Sequence, residues 1–75
     1  MRLVKDREKR LRERLKEARL AAGIRQLDLA ESLGRPQSFV AKVENGERKL
    51  DFIEVLDVCH AIGLDPCALA TELSK

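Results

Sequence analysis

A short segment in the middle of the chain, residues 36–46, carries the side chains with the clearest capacity for chemistry. At about 100° per residue its positions separate into an apolar face and a polar face. The polar face holds Gln37, Ser38, Ala41 and Lys42. Glutamine can pair with adenine N6 and N7, lysine reaches guanine O6 or N7 or a phosphate, serine donates or accepts, and alanine can touch a thymine methyl. This face has the chemistry to read base edges in a major groove.

The opposite face of the same segment holds Phe39, Val40, Val43 and Pro36 and is expected to be buried. Glu44 falls at the border of this buried arc. An alternative interpretation is a solvated face of a helical bundle, which would usually be denser in Glu and Lys. The clean separation of a buried rear and a sparsely charged front favours DNA binding.

The rest of the chain predicts helices joined by short links. Apolar residues at helical spacing, together with Gly, Asn-Gly and Asp-Pro signals, predict five helices and no strand. The first is expected over residues 3–22, the second over 26–33 and the third from Pro36 to the Asn45-Gly46 stop. The fourth follows Asp51 with Phe52 on its apolar stripe, and the fifth opens at Asp65-Pro66. The fold class is therefore all-α, a compact five-helix bundle.

Length and composition limit the classes of protein. A chain of 75 residues buries only a small core, so a homodimer is a fair expectation. Two Phe, no Tyr and no Trp argue against RNA binding by base stacking. No apolar run is long enough to span a bilayer or to form the core of a signal peptide, so we expect a cytoplasmic protein without a membrane partner.

Charge is distributed unevenly along the chain. Residues 1–25 hold ten Lys or Arg against four acids, whereas residues 50–75 hold one against five. A basic front and an acidic rear suggest that one region faces an anion, although a solvated basic helix would give the same count. We treat residues 1–10 as a basic extension, either the start of the first helix or an arm near DNA phosphates, and residues 11–75 as the DNA-binding domain.

Catalysis and metal binding are not predicted. Cys59, His60 and Cys67 supply only three ligands at unhelpful spacing, so the histidine is expected to be at the surface or half-buried. Both cysteines are expected to be buried, because free cysteine commonly is. There is no nucleophile and base pair and no glycine-rich phosphate loop, which excludes an enzyme of those classes. We expect no cofactor and no small-molecule ligand.

Taken together, four segments resemble the lambda-repressor-like helix-turn-helix of the XRE family, the type found in phage repressors and Cro. They are RLKEARLAAG, QLDLAESLG, PQSFVAKVENG and LDFIEVLDVCHAIGLDP. The resemblance covers residues 11–66. Two short helices are joined by a glycine-containing turn. The specific part of the resemblance is the combination of Arg19, Gln26, Leu29-Ala30, Gly34 and the Glu44-Asn45-Gly46 run.

The resemblance implies roles for individual residues. Gln37, Ser38 and Lys42 would read bases with Ala41 beside them, and Gln26 would donate to a phosphate at the start of the second helix. Arg19 and Glu44 would form a structural ion pair between the first and third helices, in agreement with their places on the helical wheel. The residues expected to contact the DNA backbone are Gln26, Arg35, Asn45, Arg48 and Lys49.

Three positions depart from the family pattern. Leu27 stands where a polar residue is usual, and we expect it to be exposed. Arg35 replaces a commonly apolar residue and could add a phosphate or base contact. Pro36 replaces Ser or Thr, so the third helix is expected to lack a hydroxyl cap.

The function that follows is sequence-specific binding of double-stranded DNA by a transcriptional regulator, a repressor acting as a homodimer on a near-palindromic operator. The apolar residues available for a subunit interface are Leu50, Ile53, Leu64, Leu69 and Leu73, which would otherwise complete the monomer core. The alternative is an antitoxin-like or co-regulator module that acts through contacts with another protein.

Overall fold

The computed structural model describes residues 4–75, with side chains from Asp6 onward. Its described residues form helices and no strand, which confirms the all-α prediction. The predicted start of the first helix at residue 3 lies outside the described residues. The helices are α1 (Val4–Ala21), α2 (Gln26–Leu33), α3 (Gln37–Asn45), α4 (Phe52–Ile62) and α5 (Pro66–Leu73).

Two glycines end α2 and α3, the helices on either side of the 34–36 turn. Gly34 follows α2 with a φ of 66°, and Gly46 follows α3 with a φ of 83°. These are left-handed conformations that a residue without a Cβ adopts without strain. The N–H of Gly46 donates to the carbonyl of Val43 at 3.1 Å. The three-residue turn of 34–36 therefore directs α3 away from α2 at once.

The starts of α4 and α5 are fixed by aspartates. Asp51 Oδ1 accepts from the N–H of Glu54 at 2.8 Å, and Glu54 Oε1 accepts from the N–H of Asp51 at 3.0 Å. This reciprocal pair is a capping box. Asp65 Oδ1 accepts from the N–H of Cys67 at 2.9 Å, with Pro66 in the first turn of α5. Both starts agree with the sequence prediction.

The core lies where α1, α2, α4 and α5 meet beneath α3. α2 packs against α3 and α4, and α5 packs against α1 and α4. α3 packs against α1 and α2, and it contributes Val40 to a core that receives buried side chains from all five helices. The core cluster comprises Leu15, Leu29, Ala30, Val40, Val58, Cys59, Ile62 and Leu69.

Three residues predicted to be buried are exposed. Phe52 is 73% exposed because it is the first residue of α4, and full burial on that helix begins only at Val58. Cys67 is exposed because it lies two residues, or about 200°, from the buried Leu69. Pro36 is exposed and precedes α3 as its N-cap residue, where its side chain makes no capping hydrogen bond.

The predicted basic extension is helical from residue 4 and forms the first turns of α1. Arg10 donates to the carbonyl of Glu72 at 2.8 Å, and Arg14 Nε donates to the Glu72 carboxylate at 3.2 Å. These contacts join one side of α1 to the end of α5. The opposite side of α1 is left facing the region where α3 ends.

Candidate nucleic-acid interface

The predicted reading residues lie together on the outer face of α3. Gln37, Ser38 and Lys42 are exposed, and Ala41 is half-buried between them and the body of the protein. The other face of the helix is held by Val40, whose exposed fraction is 3%. The separation of the two faces that periodicity predicted is therefore present in the structure.

A buried ion pair ties the end of α3 to α1. Arg19 Nε donates to Glu44 Oε2 at 2.8 Å and Arg19 Nη2 donates to Glu44 Oε1 at 3.1 Å. Their side chains are 6% and 7% exposed. Arg19 Nη1 also donates to the carbonyl of Ile24 at 2.6 Å. This two-pronged geometry fixes both position and orientation, and it confirms the predicted pairing.

The same carboxylate organises a glutamine pair at the front of the helix-turn-helix. Gln26 Nε2 donates to Glu44 Oε1 at 2.9 Å. Gln37 Nε2 in turn donates to Gln26 Oε1 at a longer 3.5 Å. The first residue of α2 and the first residue of α3 are thereby connected. Each of the two glutamines has a second Nε2 hydrogen that it can donate to an external acceptor.

A second carboxylate, Glu54 on α4, holds the segments on either side of α3. Arg48 Nη1 and Nη2 donate to its two oxygens at 2.8 and 2.9 Å, and Arg35 Nη2 donates to Oε2 at 2.9 Å. The hydrogen bonds from Arg48, and next the backbone N–H of Asp51, lower the pKa of Glu54 to about 2. The same pairing raises the pKa of Arg48.

Phe39 completes this cluster from the rear of α3. The guanidinium of Arg35 lies 4.4 Å from the centre of its ring, and that of Arg48 lies 5.0 Å away. Each cation is within the distance at which an aromatic face attracts it. Arg35 and Arg48, predicted from sequence as backbone contacts, are thus also fastened to Glu54 and Phe39.

The remaining predicted backbone contacts lie where α3 ends. Asn45 is exposed as the last residue of the helix. Lys49 Nζ lies 3.3 Å from Glu8 Oε1 of α1, while the lysine side chain is 80% exposed. The loop after α3 is therefore next to the first turns of α1.

The role of Glu54 was not predicted from the sequence. The Asp51-x-x-Glu54 spacing is a capping-box signature and could have identified its backbone hydrogen bonds. Its pairing with Arg35, 19 residues away, depends on how the 34–36 turn and the 46–51 loop fold. No periodicity in the sequence encodes that approach.

Known proteins that match this chain share its helix-turn-helix fold. Residues 10–71 match the family model described as a helix-turn-helix domain. The solved structure of an XRE-family like protein from Pseudomonas syringae pv. tomato is 56% identical, with a TM-score of 0.90. The match covers 93% of this chain and 85% of that one. The chain belongs to the XRE family of helix-turn-helix proteins.

The XRE-family helix-turn-helix is a DNA-binding domain of transcription regulators and is typically not an enzyme. A search of curated proteins finds no significant match. The family assignment therefore rests on the domain model and on the solved relative, both of which span the two helices of the motif and its supporting core.

The five residues predicted to form a subunit interface of this XRE-family domain, four leucines and one isoleucine, lie in different environments. Leu69 is 2% exposed and belongs to the core, so it is not available to a second subunit; this corrects the prediction. Leu50, Leu64 and Leu73 are partly buried and pack against the core. Of these five, only Ile53, 63% exposed, presents most of its side chain to solvent, beside Phe52.

Leu27 is 41% exposed, as expected from its departure from the family pattern.

The cysteines and the histidine do not form a common site. Cys59 is buried, and this burial raises the pKa of its thiol, whereas His60 and Cys67 are exposed. Within residues 4–75, no group of three or more His, Cys, Asp or Glu side chains is arranged to hold a metal ion. None of the helices in that range is long and apolar enough to cross a membrane.

Proposed function

We propose that this protein is a cytoplasmic, sequence-specific DNA-binding repressor that acts as a homodimer on a near-palindromic operator. Each protomer lays α3 in the major groove, where Gln37, Ser38 and Lys42 read base edges and Ala41 allows close approach. Gln26 and the residues around the end of α3, including Asn45 and Lys49, contact the backbone.

The observation that carries this proposal is the fixed geometry of α3. Its exposed face bears hydrogen-bonding side chains, while Glu44 anchors the helix to Arg19 and orients Gln26 and Gln37. A reading helix needs this rigidity because a side chain displaced by about 1 Å loses its contact with the base edge. A merely solvated helix face has no need for a buried carboxylate that positions two surface glutamines.

The roles of the reading residues are tested on an operator selected from random duplex DNA. Replacing Gln37 or Lys42 by Ala is expected to weaken operator binding by about 1–3 kcal/mol per lost base contact, with little change on random duplex. Gln26→Ala is expected to weaken both duplexes alike, because it removes a phosphate contact. Fluorescence anisotropy with both duplexes measures these differences. Equal losses on both duplexes for all three variants contradict the assignment.

A homodimer is supported by the exposed pair Phe52 and Ile53 at the start of α4, 73% and 63% exposed. Two copies joined through this face would read half-sites about one helical turn, roughly 10 bp, apart. We expect wild type to sediment as a dimer and Ile53→Asp to sediment as a monomer with an unchanged helical circular dichroism spectrum. A monomeric wild type at concentrations that saturate the operator contradicts the dimer.

The same apolar pair favours a second candidate function, docking of another protein by an antitoxin-like or co-regulator module. Large exposed apolar side chains are typical of protein interaction sites. Gel shifts over a range of salt concentrations separate the two functions, because phosphate contacts release counterions. A steep fall in affinity with salt supports DNA binding, and no shift even at low salt supports the interaction module.

A further inference from the structure

Arg12 is a cation of α1 that the reading residues and their supporting networks do not use. Its guanidinium lies against Gly46, the residue that ends α3. A Cβ placed on Gly46 would be 2.9 Å from Arg12 Cζ and 3.1 Å from both Nε and Nη2. This close approach is possible because position 46 carries no side chain. The Arg12 guanidinium therefore lies at the C-terminal end of α3.

No residue that the structure describes engages the donors of Arg12. Among the described residues, none accepts a hydrogen bond from its guanidinium or forms an ion pair with it. Two neighbours on the same helix differ, since Arg14 pairs with Glu72 and Arg19 with Glu44. A guanidinium has five N–H donors in a planar fork that matches a phosphate. Arg12 is half-buried, so this fork is restricted in position before any ligand arrives.

Arg12 lies on the wall of a small cleft at the end of α3. The cleft has a volume of about 120 Å³ and is also lined by Glu8, Gly46, Arg48 and Lys49. Of these three cations, Arg48 pairs with Glu54 and Lys49 lies 3.3 Å from Glu8, so that Arg12 is the one without a carboxylate partner among the described residues. The excess positive charge and the free donors of Arg12 favour an anion at the rim of this cleft.

The place of the cleft suggests which anion it meets. The C-terminal end of a helix carries a partial negative charge of about half a unit, which repels a phosphate. A helix lying in the major groove nevertheless brings its ends close to the backbone strands. A cation fixed at Gly46 offsets the helix charge at the point where a strand passes.

We propose that Arg12 is a DNA-backbone contact that donates its guanidinium N–H groups to a phosphodiester at the end of α3, with Lys49 as the neighbouring cation. The inference rests on the proposed function and deepens it, since it assigns α1 a direct part in DNA binding. The contact is independent of sequence, because it involves only the phosphate.

The salt dependence of binding tests this contact. We expect Arg12→Gln to lower the slope of log K against log salt by about 0.9, equally on operator and random duplex. Arg14→Gln is the matched control: it removes the same charge from the same helix, on the side that faces Glu72. The control is expected to keep the wild-type slope. Arg12→Met keeps a long unbranched side chain without the charge and is expected to reproduce the loss if the glutamine variant does not fold.

The outcomes separate this inference from the proposed function. A neutral Arg12 variant that keeps the wild-type slope overturns the phosphate contact while operator binding stands. If Arg14→Gln lowers the slope as much as Arg12→Gln does, the phosphate contact is also overturned, because the slope would then depend on the net charge of the protein and not on the position of Arg12. Wild-type protein that binds neither duplex overturns the proposed function itself.

Discussion

Two glutamates fix α3, and they do so in different surroundings. Glu44 lies at the end of α3 and is 7% exposed, with Arg19 beside it at 6%. Glu54 lies on α4 and is 13% exposed, but its partners Arg35 and Arg48 are 43% and 38% exposed. One carboxylate therefore pairs within the protein interior, and the other pairs with cations that water reaches.

This difference separates two ways of positioning a helix. Arg19 has little access to water that could replace a lost hydrogen bond, so it depends on the Glu44 carboxylate for its desolvation to be offset. The partners of Glu54 retain access to water and to salt, so its hold is screened and adjustable. We infer that the Glu44 cluster sets the position of α3 and that the Glu54 cluster restrains the chain on either side of it.

The largest expected effect comes from breaking the buried cluster. Glu44→Ala is expected to lower the free energy of unfolding by about 3–5 kcal/mol, because it leaves Arg19 buried without a counter-charge. It also removes the acceptor of Gln26. Urea unfolding followed by circular dichroism measures the loss. For a domain of this size such a loss is comparable with the whole stability.

A double substitution controls for the loss of volume and separates charge from packing. Arg19→Met combined with Glu44→Leu removes both charges and is expected to be considerably more stable than Glu44→Ala alone. If Glu44→Ala costs less than about 1 kcal/mol, water reaches Arg19 and the contrast between the two glutamates is lost.

Much of this arrangement was predictable because helix geometry alone relates the residues concerned. The positions of Phe39, Val40 and Val43 on a helical wheel defined the buried face of α3, and Glu44 at its border pointed toward Arg19. Helix ends were marked by residues with local causes, such as glycine in the left-handed region. Sequence reasoning therefore succeeded where one helix or one cap contains all the relevant geometry.

Sequence reasoning failed where two non-helical segments meet or where a helix extends past the core. Arg35 and Arg48 converge on Glu54 only after the turn before α3 and the loop after it have folded. Phe52 follows the apolar period of α4 but lies at its exposed first residue, and full burial is reached only further along the helix. Periodicity specifies a direction around a helix, but it does not specify where the neighbouring helix ends.

The smaller expected effect comes from the exposed cluster and is seen as a pH dependence. The pKa of Glu54 is lowered from an ordinary 4.5 to about 2 by Arg48 and the backbone N–H of Asp51. A carboxyl whose pKa is lower in the folded state contributes stability above its unfolded pKa and loses it as the pH falls. We therefore expect the Glu54 contribution to be complete above about pH 4.5 and to disappear as the pH approaches 2. Urea unfolding at a series of pH values measures it.

Two glutamine variants isolate this contribution and test the contrast between the clusters. Glu54→Gln is expected to flatten the acid limb of the stability profile, whereas Glu47→Gln, which removes one charge from the neighbouring exposed loop, is expected to leave it as in wild type. Molar salt is expected to shrink the effect of Glu54→Gln more than that of Glu44→Ala, because salt screens the exposed pairs and not the buried one. An acid limb that Glu54→Gln leaves unchanged contradicts the pairing with Arg48. Equal sensitivity to salt at the two sites contradicts the distinction between a buried anchor and an exposed restraint.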